Sequence, residues 1–238
     1  MTELELTIAM PALNEEEGVE ATVREALSAL DDLDAPGEVL VVDDGSTDRT
    51  PEILAALTAE DSRLRVYTHA RNLGIGGFNR RMIEEARGRW VLFTSSDGEF
   101  DPREALRFLA VAREQGADAV LGYRTDKTYD AWRNVVSSSF NALTYLCFGA
   151  RFRDIGSMRL LRRELFHPLP LYSQSAFLNA ERLLAGRRRG AVIVEVPIEH
   201  RSRRGGVARG AKPRRVVEAA RDLALTRARW FRFDRYYG

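Results

Sequence analysis

The stretch EVLVVDDGSTD, residues 38–48, runs four aliphatic side chains, Val39 to Val42, straight into two aspartates, a glycine and a serine. An uninterrupted apolar run of this length, closed by a turn signal, reads as a strand buried on both faces. Strands of that kind belong to parallel sheets with helices covering each side. The polar residues that follow mark the carboxyl end of the strand.

Similar runs occur on either side. LELTIAM (4–10), LRVYTH (64–69), RWVLFT (89–94) and DAVLGY (118–123) have the same character, and each gap is long enough for a crossover helix. This is the βαβ rhythm of a Rossmann-like, mostly parallel sheet. The helix signals agree. Val19, Val23, Ala26, Leu27 and Leu30 recur at helical spacing. Thr50 before Pro51 reads as an N-cap, Asp101-Pro102-Arg103-Glu104 as a second, and Gly116 as a C-cap. Beyond residue 124 the rhythm changes. A loop over TDKTYDAW leads to an apolar helix over 134–149. A possible strand in GSMRLLRREL, a helix over 174–187 and a strong strand in AVIVEVPIEH (191–200) follow. The proline in that strand favours an edge. A basic loop (201–215) and a basic amphipathic helix (216–231) follow. No repeat or linker splits the chain, so a single domain over 1–238 is expected, in three parts: 1–123, 124–212 and 213–238.

Bulk composition is that of a soluble globular protein, with 238 residues, 45% hydrophobic and 30% charged. One cysteine, Cys147, excludes an intrachain disulfide and reads as a small buried apolar residue in a reducing compartment. MTELELTIAM has no basic n-region, so no signal peptide is expected. No apolar run reaches the ~20 residues of a membrane span, and a cytoplasmic location is expected. The net charge of +1 hides an asymmetry: residues 201–238 carry 12 lysines and arginines against 3 acids, while the rest carries 24 against 32. A basic tail on an acidic body points to an anionic partner, or to a solvated helix that balances the body.

Ligands of open parallel sheets bind beyond the carboxyl ends of the strands, near the switch in strand order. Polar residues follow four of these strands: Asn14 to Glu17, then Asp43 to Ser46, then Asn72 to Gly77, then Asp97 and Glu99. A single aspartate there is usually a turn residue; four polar ends on one edge suggest a site. RNLGIGGFNRR lacks both phosphate-loop spacings, and PALNEEEG after the first strand would repel a pyrophosphate, which excludes a nicotinamide enzyme and a P-loop NTPase. His69, His167 and His200 show no metal-ligand spacing and read as structural.

These residues resemble a family, the inverting GT-A glycosyltransferases of family 2, and within it the dolichyl- or polyprenyl-phosphate sugar synthases. The likeness runs through IAMPALNEEEGV, VLVVDDGSTDRT and NLGIGGFNRRMIEEARGRWVLFTSSDGEFDP, and more loosely through DIGSMRLLRREL and EVPIEHRSRRGG. It implies a GT-A fold and transfer, with inversion, from a UDP- or GDP-sugar to an acceptor such as a polyprenyl phosphate. It implies that Pro11, Ala12, Asn14 and Glu15 line the nucleotide pocket, and that Asp43 accepts a hydrogen bond from the base. Asp44 and Ser46 then shape the turn, Ser96 stands in the same pocket, and Gly74 and Gly77 let the backbone approach the nucleotide. Asp97 matches the last acid of the family's DxD metal motif, and Arg159 an arginine facing the diphosphate. Asp154 matches an acid preceding that arginine. Arg204 and Lys212 fall in a basic loop that closes over donor and acceptor phosphates.

Two departures stand out. The DxD motif reads Ser95-Ser96-Asp97, and the family's GFR reads Ser157-Met158-Arg159. Mg²⁺ or Mn²⁺ bound with a diphosphate needs only one or two protein carboxylates, so Asp97 with Glu99 is the expected metal pair. Asp154 is the candidate general base for a hydroxyl acceptor, or else the partner of Arg151, Arg153 or Arg159. Trp230, Phe231, Phe233, Tyr236 and Tyr237 suit a membrane interface, or pack on the core. A soluble transferase acting on a small molecule or peptide, and a non-catalytic nucleotide-sugar-binding homologue, are the alternatives; nucleic acid is not expected.

Overall fold

The computed structural model describes residues 4–125, 131–202 and 213–237, with backbone alone for 131–138. The chain runs β1 (Leu6–Ala12), α1 (Val19–Asp31), β2 (Gly37–Asp43), α2 (Thr50–Glu60), β3 (Leu64–Thr68), α3 (Gly74–Glu85), β4 (Trp90–Phe93), α4 (Glu104–Gln115) and β5 (Ala119–Arg124). It continues through α5 (Ala131–Phe148), β6 (Arg159–Arg162), the single turn α6 (Arg163–Phe166), α7 (Phe177–Arg188), β7 (Ile193–Ile198), α8 (Pro213–Trp230) and α9 (Phe233–Tyr237). The seven strands form one sheet in the order β3-β2-β1-β4-β6-β5-β7.

All neighbouring pairs are parallel except those of β6, which runs antiparallel to both β4 and β5. The strand order switches at β1, between β2 and β4. The sheet is buried on both faces, as the unbroken apolar runs demand. Ile8, Met10, Val39 and Val41 point into a layer with α1, α2 and α4, while Ala9, Leu40 and Val42 point into a layer with α3 and α7. Thr7, fully buried within β1, donates to Glu38 and accepts from the Gly88 backbone, so it is not left unsatisfied. Pro197 lies on β7, the edge strand, where a missing N–H costs no ladder bond.

The expected elements are present, with shifts at their ends. Gly116 takes the left-handed C-cap of α4 at φ +60°. Thr50 does not cap α2: it lies inside the helix, its hydroxyl accepts from the Glu15 backbone, and Asp48 accepts from the Thr50 N–H instead. Asp101 stands one turn before α4, accepting from the Arg103 N–H. The basic loop, with Arg204 and Lys212, and most of TDKTYDAW lie outside the described residues.

The C-terminal aromatics divide. Trp230 meets Phe148 edge-on, Phe233 stacks on Tyr237, and Tyr237 is wholly buried. Phe231 faces outward, 76% exposed, under the Arg227 guanidinium. Most of this cluster therefore packs on the core, as apolar rings do when α7 offers a surface. Among the described residues no helix is long and apolar enough to cross a membrane.

Candidate active site

The parallel strands bring the ends of β1, β2 and β4 to one edge, and the antiparallel direction of β6 brings its first residue there too. Arg159 pairs with Phe93, the last residue of β4. A cleft of about 350 Å³ opens at this edge. Of the residues expected from sequence, Pro11, Ala12, Glu15, Asp44, Gly74, Ser96, Asp97, Glu99 and Arg159 line it.

Asn14, Asp43 and Ser46 do not line the cleft but build the turn beside it. Asp43 Oδ1 accepts from the Ser46 backbone at 3.1 Å and from its hydroxyl at 2.5 Å. Ser46 Oγ accepts from Asn14 N at 2.9 Å, and Asn14 Oδ1 accepts from Thr47 N at 2.8 Å. These bonds occupy the Asn14 side chain and hold its backbone at φ +53°, a left-handed conformation that asparagine tolerates. Asp43 Oδ2 is buried with no hydrogen-bond partner among the described residues, so an acceptor for a ligand N–H is present.

Asp44 has a larger role than turn-shaping. Its Oδ1 lies 2.7 Å from His69 Nδ1 and accepts from Leu73 N at 2.9 Å, while Oδ2 accepts from Gly74 N at 2.9 Å. One buried carboxylate thus pins the start of α3 against β2, and His69 serves as its partner. Gly74 needs its φ of +72° to begin the helix at this contact. Gly77 does not face the cleft. A Cβ there would meet Leu73 Cβ at 2.3 Å, so this glycine answers to packing within its own turn.

The end of β4 forms the acidic part. Ser95 Oγ donates to Asp97 Oδ1 at 2.6 Å, and the Glu99 N–H donates to the same oxygen at 3.0 Å. Gly98, at φ +76°, closes the tight turn between the two acids. Ser96 Oγ donates to the Pro11 carbonyl at 2.6 Å and ties β4 to β1. Asp97 and Glu99 are 6% and 9% exposed, and Glu99 Oε2 lies 3.7 Å from His200 Nε2. Among the described residues no group of three or more His, Cys, Asp and Glu side chains converges as a metal site. The donors present are two carboxylates and a hydroxyl, hard oxygen ligands of the kind Mg²⁺ and Mn²⁺ take alongside substrate phosphates.

The cationic part faces the same cleft. Arg159 is 6% exposed, and its Nη2 donates to Asn79 Oδ1 at 2.6 Å and to Asn179 Oδ1 at 2.8 Å. Its guanidinium stands 4.5 Å from the Phe93 ring centre. Among the described residues its hydrogen bonds go only to neutral oxygens, and its Nε has no partner. Burial, with the charge of Arg182 nearby, pushes its pKa down to about 9. Arg182 itself is 1% exposed, donates to the Asn79 carbonyl, and lies 5.3 Å from the same Phe93 ring. Burial likewise pushes it down to about 9. Sequence reasoning missed Arg182, Asn79 and Asn179. An arginine within a helix of mostly buried residues, FLNAERLLAGRR, was the available signal. The hydroxyls of Thr94 and Ser157, also on the cleft, are buried without partners among the described residues.

Asp154 stands apart from this set. It receives a two-pronged contact from Arg124, Nε at 2.7 Å and Nη2 at 2.9 Å, and is 4% exposed. Arg124, at the end of β5, was not among the partners expected. From α8, Arg215 reaches the cleft.

Comparison with known proteins gives this geometry a context. Residues 7–184 match the model of the family described as Glycosyl transferase family 2. Glycosyltransferase AglD of Haloferax volcanii is 33% identical over 205 residues, covering 82% of this chain and 33% of that protein. The undecaprenyl-phosphate 4-deoxy-4-formamido-L-arabinose transferase of Proteus mirabilis is 29% identical over 210 residues, covering 84% of this chain and 61% of that protein. The chain thus spans about a third to three fifths of the length of these relatives. Glucosyl-3-phosphoglycerate synthase of Mycobacterium tuberculosis, crystallised with Mn²⁺, UDP-glucose and phosphoglyceric acid, superposes with a TM-score of 0.74 at 20% identity, over 94% of this chain and 80% of the other. That likeness gives the fold, a mixed α/β GT-A sheet.

Proposed function

Because the chain belongs to glycosyl transferase family 2, we propose that it transfers a sugar, with inversion, from a nucleoside-diphosphate sugar to a polyprenyl phosphate. The observation that carries this reading is Arg159, a buried cation on the cleft whose hydrogen bonds, among the described residues, go only to neutral oxygens. Such a charge is costly without an anion, and a donor diphosphate is the anion that fits. One of the two named relatives points the same way, since it is an undecaprenyl-phosphate 4-deoxy-4-formamido-L-arabinose transferase.

The roles follow from the chemistry. Pro11, Ala12, Glu15 and Gly74 hold the nucleotide, and Asp43 accepts from its base. Asp97 and Glu99 would hold a divalent ion, which neutralises charge on the departing diphosphate when bound. Arg159 stabilises the same charge from a site where water is scarce, so its bonds to the leaving oxygens strengthen as the bond to the anomeric carbon breaks. A phosphate acceptor brings an oxygen already ionised, so no strong base is needed, and Asp154 is left to its pairing with Arg124. Arg204 and Lys212 are proposed to meet the phosphates. A cytoplasmic protein peripheral at a membrane would meet such an acceptor.

A second reading rests on Ser95. With one carboxylate fewer than the family's metal motif, a nucleotide-binding homologue without turnover is the competitor. Calorimetric titration of UDP, GDP and their sugar conjugates, each with Mn²⁺, Mg²⁺ or EDTA, tests both. Metal-dependent binding of one nucleotide supports the transferase and names its donor class. Binding of none by the folded protein overturns the donor site.

A further inference from the structure

A second cavity, of about 710 Å³, lies between the start of α3, residues 172–176 and α8. It shares the lining residues Asn72, Gly74, Ile75, Ala176 and Arg215 with the cleft, so the two adjoin. Its walls are of two kinds. Leu73, Tyr172 and Leu225 line it while 49%, 38% and 42% exposed. Three arginines of α8, Arg214, Arg215 and Arg221, line it as well.

The charges do not cancel evenly. Glu218 is paired with Arg214 at 3.0 Å, and Asp222 Oδ2 accepts from the backbones of Gln174 and Ser175 at 2.8 Å each. Arg215 and Arg221 have no ion-pair partner among the described residues. Arg215 stands where the cavity meets the cleft. A groove with an apolar strip, Leu73, Tyr172 and Leu225, among polar walls and a cation at its inner mouth fits a molecule with an anionic head and an apolar chain.

We propose that this groove is the acceptor subsite: Arg215 meets the phosphate of an isoprenyl phosphate, and Leu73, Tyr172 and Leu225 receive the first part of its chain. The inference rests on the transferase reading, and it adds where the acceptor enters. The head then lies at the entrance of the donor cleft while the tail runs out beside α8. A small phosphorylated acceptor would use Arg215 alone.

The test is binding of geranylgeranyl phosphate, geranylgeraniol and inorganic phosphate to the full chain, with nucleotide binding measured on the same samples. Leu225→Glu places a charge on the apolar wall, and Arg215→Ala removes the cation. Val217→Glu, on the same helix, 69% exposed and outside the groove, is the control. Leu225→Glu is expected to weaken geranylgeranyl phosphate about ten-fold or more and to leave inorganic phosphate unchanged. Arg215→Ala is expected to weaken geranylgeranyl phosphate about ten-fold and geranylgeraniol little. Val217→Glu should match the unaltered protein. The groove is disproved if Leu225→Glu and Val217→Glu behave alike, or if geranylgeranyl phosphate binds no tighter than inorganic phosphate. Metal-dependent nucleotide binding alongside that result leaves the donor reading intact. A Leu225-sensitive affinity in a protein that binds no nucleotide supports the groove and removes the transferase.

Discussion

The two sides of the cleft are built on opposite terms. On the β1–β4 side the charges are carboxylates, and those of Asp43, Asp44 and Asp97 are tied within a few residues or to an adjacent strand end. On the β6–α7 side the charges are guanidiniums, and their partners come from far away in sequence: Arg159 from Asn79, eighty residues distant, and Arg182 from the Asn79 carbonyl. The acidic side is a set of turns at neighbouring strand ends, with Asp44 reaching across to the start of α3. The basic side exists only when α3, β6 and α7 are packed together. A local turn can tolerate a changed residue. A buried cation held at long range cannot, because removing one partner leaves an unpaired polar group inside.

The largest effect should therefore come from the basic side. Arg159→Gln is expected to lower kcat about 10²–10³-fold, the cost of losing one electrostatic group at a developing charge. Single-turnover kinetics at saturating donor check this, and a loss seen only in KM would move Arg159 from transition-state stabilisation to plain binding.

The acidic side should respond in a graded way. Asp97→Asn removes one of two carboxylates and should abolish the Mn²⁺ dependence of nucleotide binding. Ser95→Asp restores the family's spacing beside Asp97 and should tighten the metal by about ten-fold, since hard cations follow the number of charged ligands. Titration of Mn²⁺ at fixed nucleotide reads both. If Ser95→Asp weakens the metal, the bond from Ser95 to Asp97 was holding the useful geometry.

The smallest effect on turnover is expected at Asp154. Asp154→Asn breaks a buried pair with Arg124, so stability should fall by about 3 kcal/mol, while kcat in the folded fraction stays within about two-fold. Thermal melting and turnover on the same sample separate the two. A kcat that fell with an unchanged melting temperature would restore the base role.

The contrast also explains what could be read in advance. The strand ends at Asp43, Asp44 and Asp97 announce themselves because strand, turn and acid are contiguous, and local rules govern all three. Gly77 misled because a glycine in a loop beside a ligand and a glycine packed on Leu73 look alike in sequence. Arg124 as the partner of Asp154 was hidden because the pair is set by packing of the 154–156 segment on β5. The buried arginines were hidden for the same reason. No sequence period marks a residue that is cationic, enclosed and shared between a strand and two helices. The last element, α9, was too short to declare itself, and its Tyr237 is fixed by a 2.6 Å bond to the buried Glu181.

The position of β6 carries a consequence for how the chain is made. Strands β4 and β5 are never neighbours, since the four residues Arg159–Arg162 stand between them. A growing chain produces β4 and β5 first and must wait for the strand that joins them. During that interval Trp90 to Phe93 offer a bare, apolar edge, the form of strand most open to pairing with another molecule. Chains stopped at Gly156 should therefore collect in the insoluble fraction, and a soluble monomer of that length would disprove this. Completing the sheet also means closing a long loop before the pairing gains anything, which slows folding. Arg159, the residue on which the proposed chemistry turns, belongs to the same short strand. One insertion both seals the exposed edge and delivers the cation.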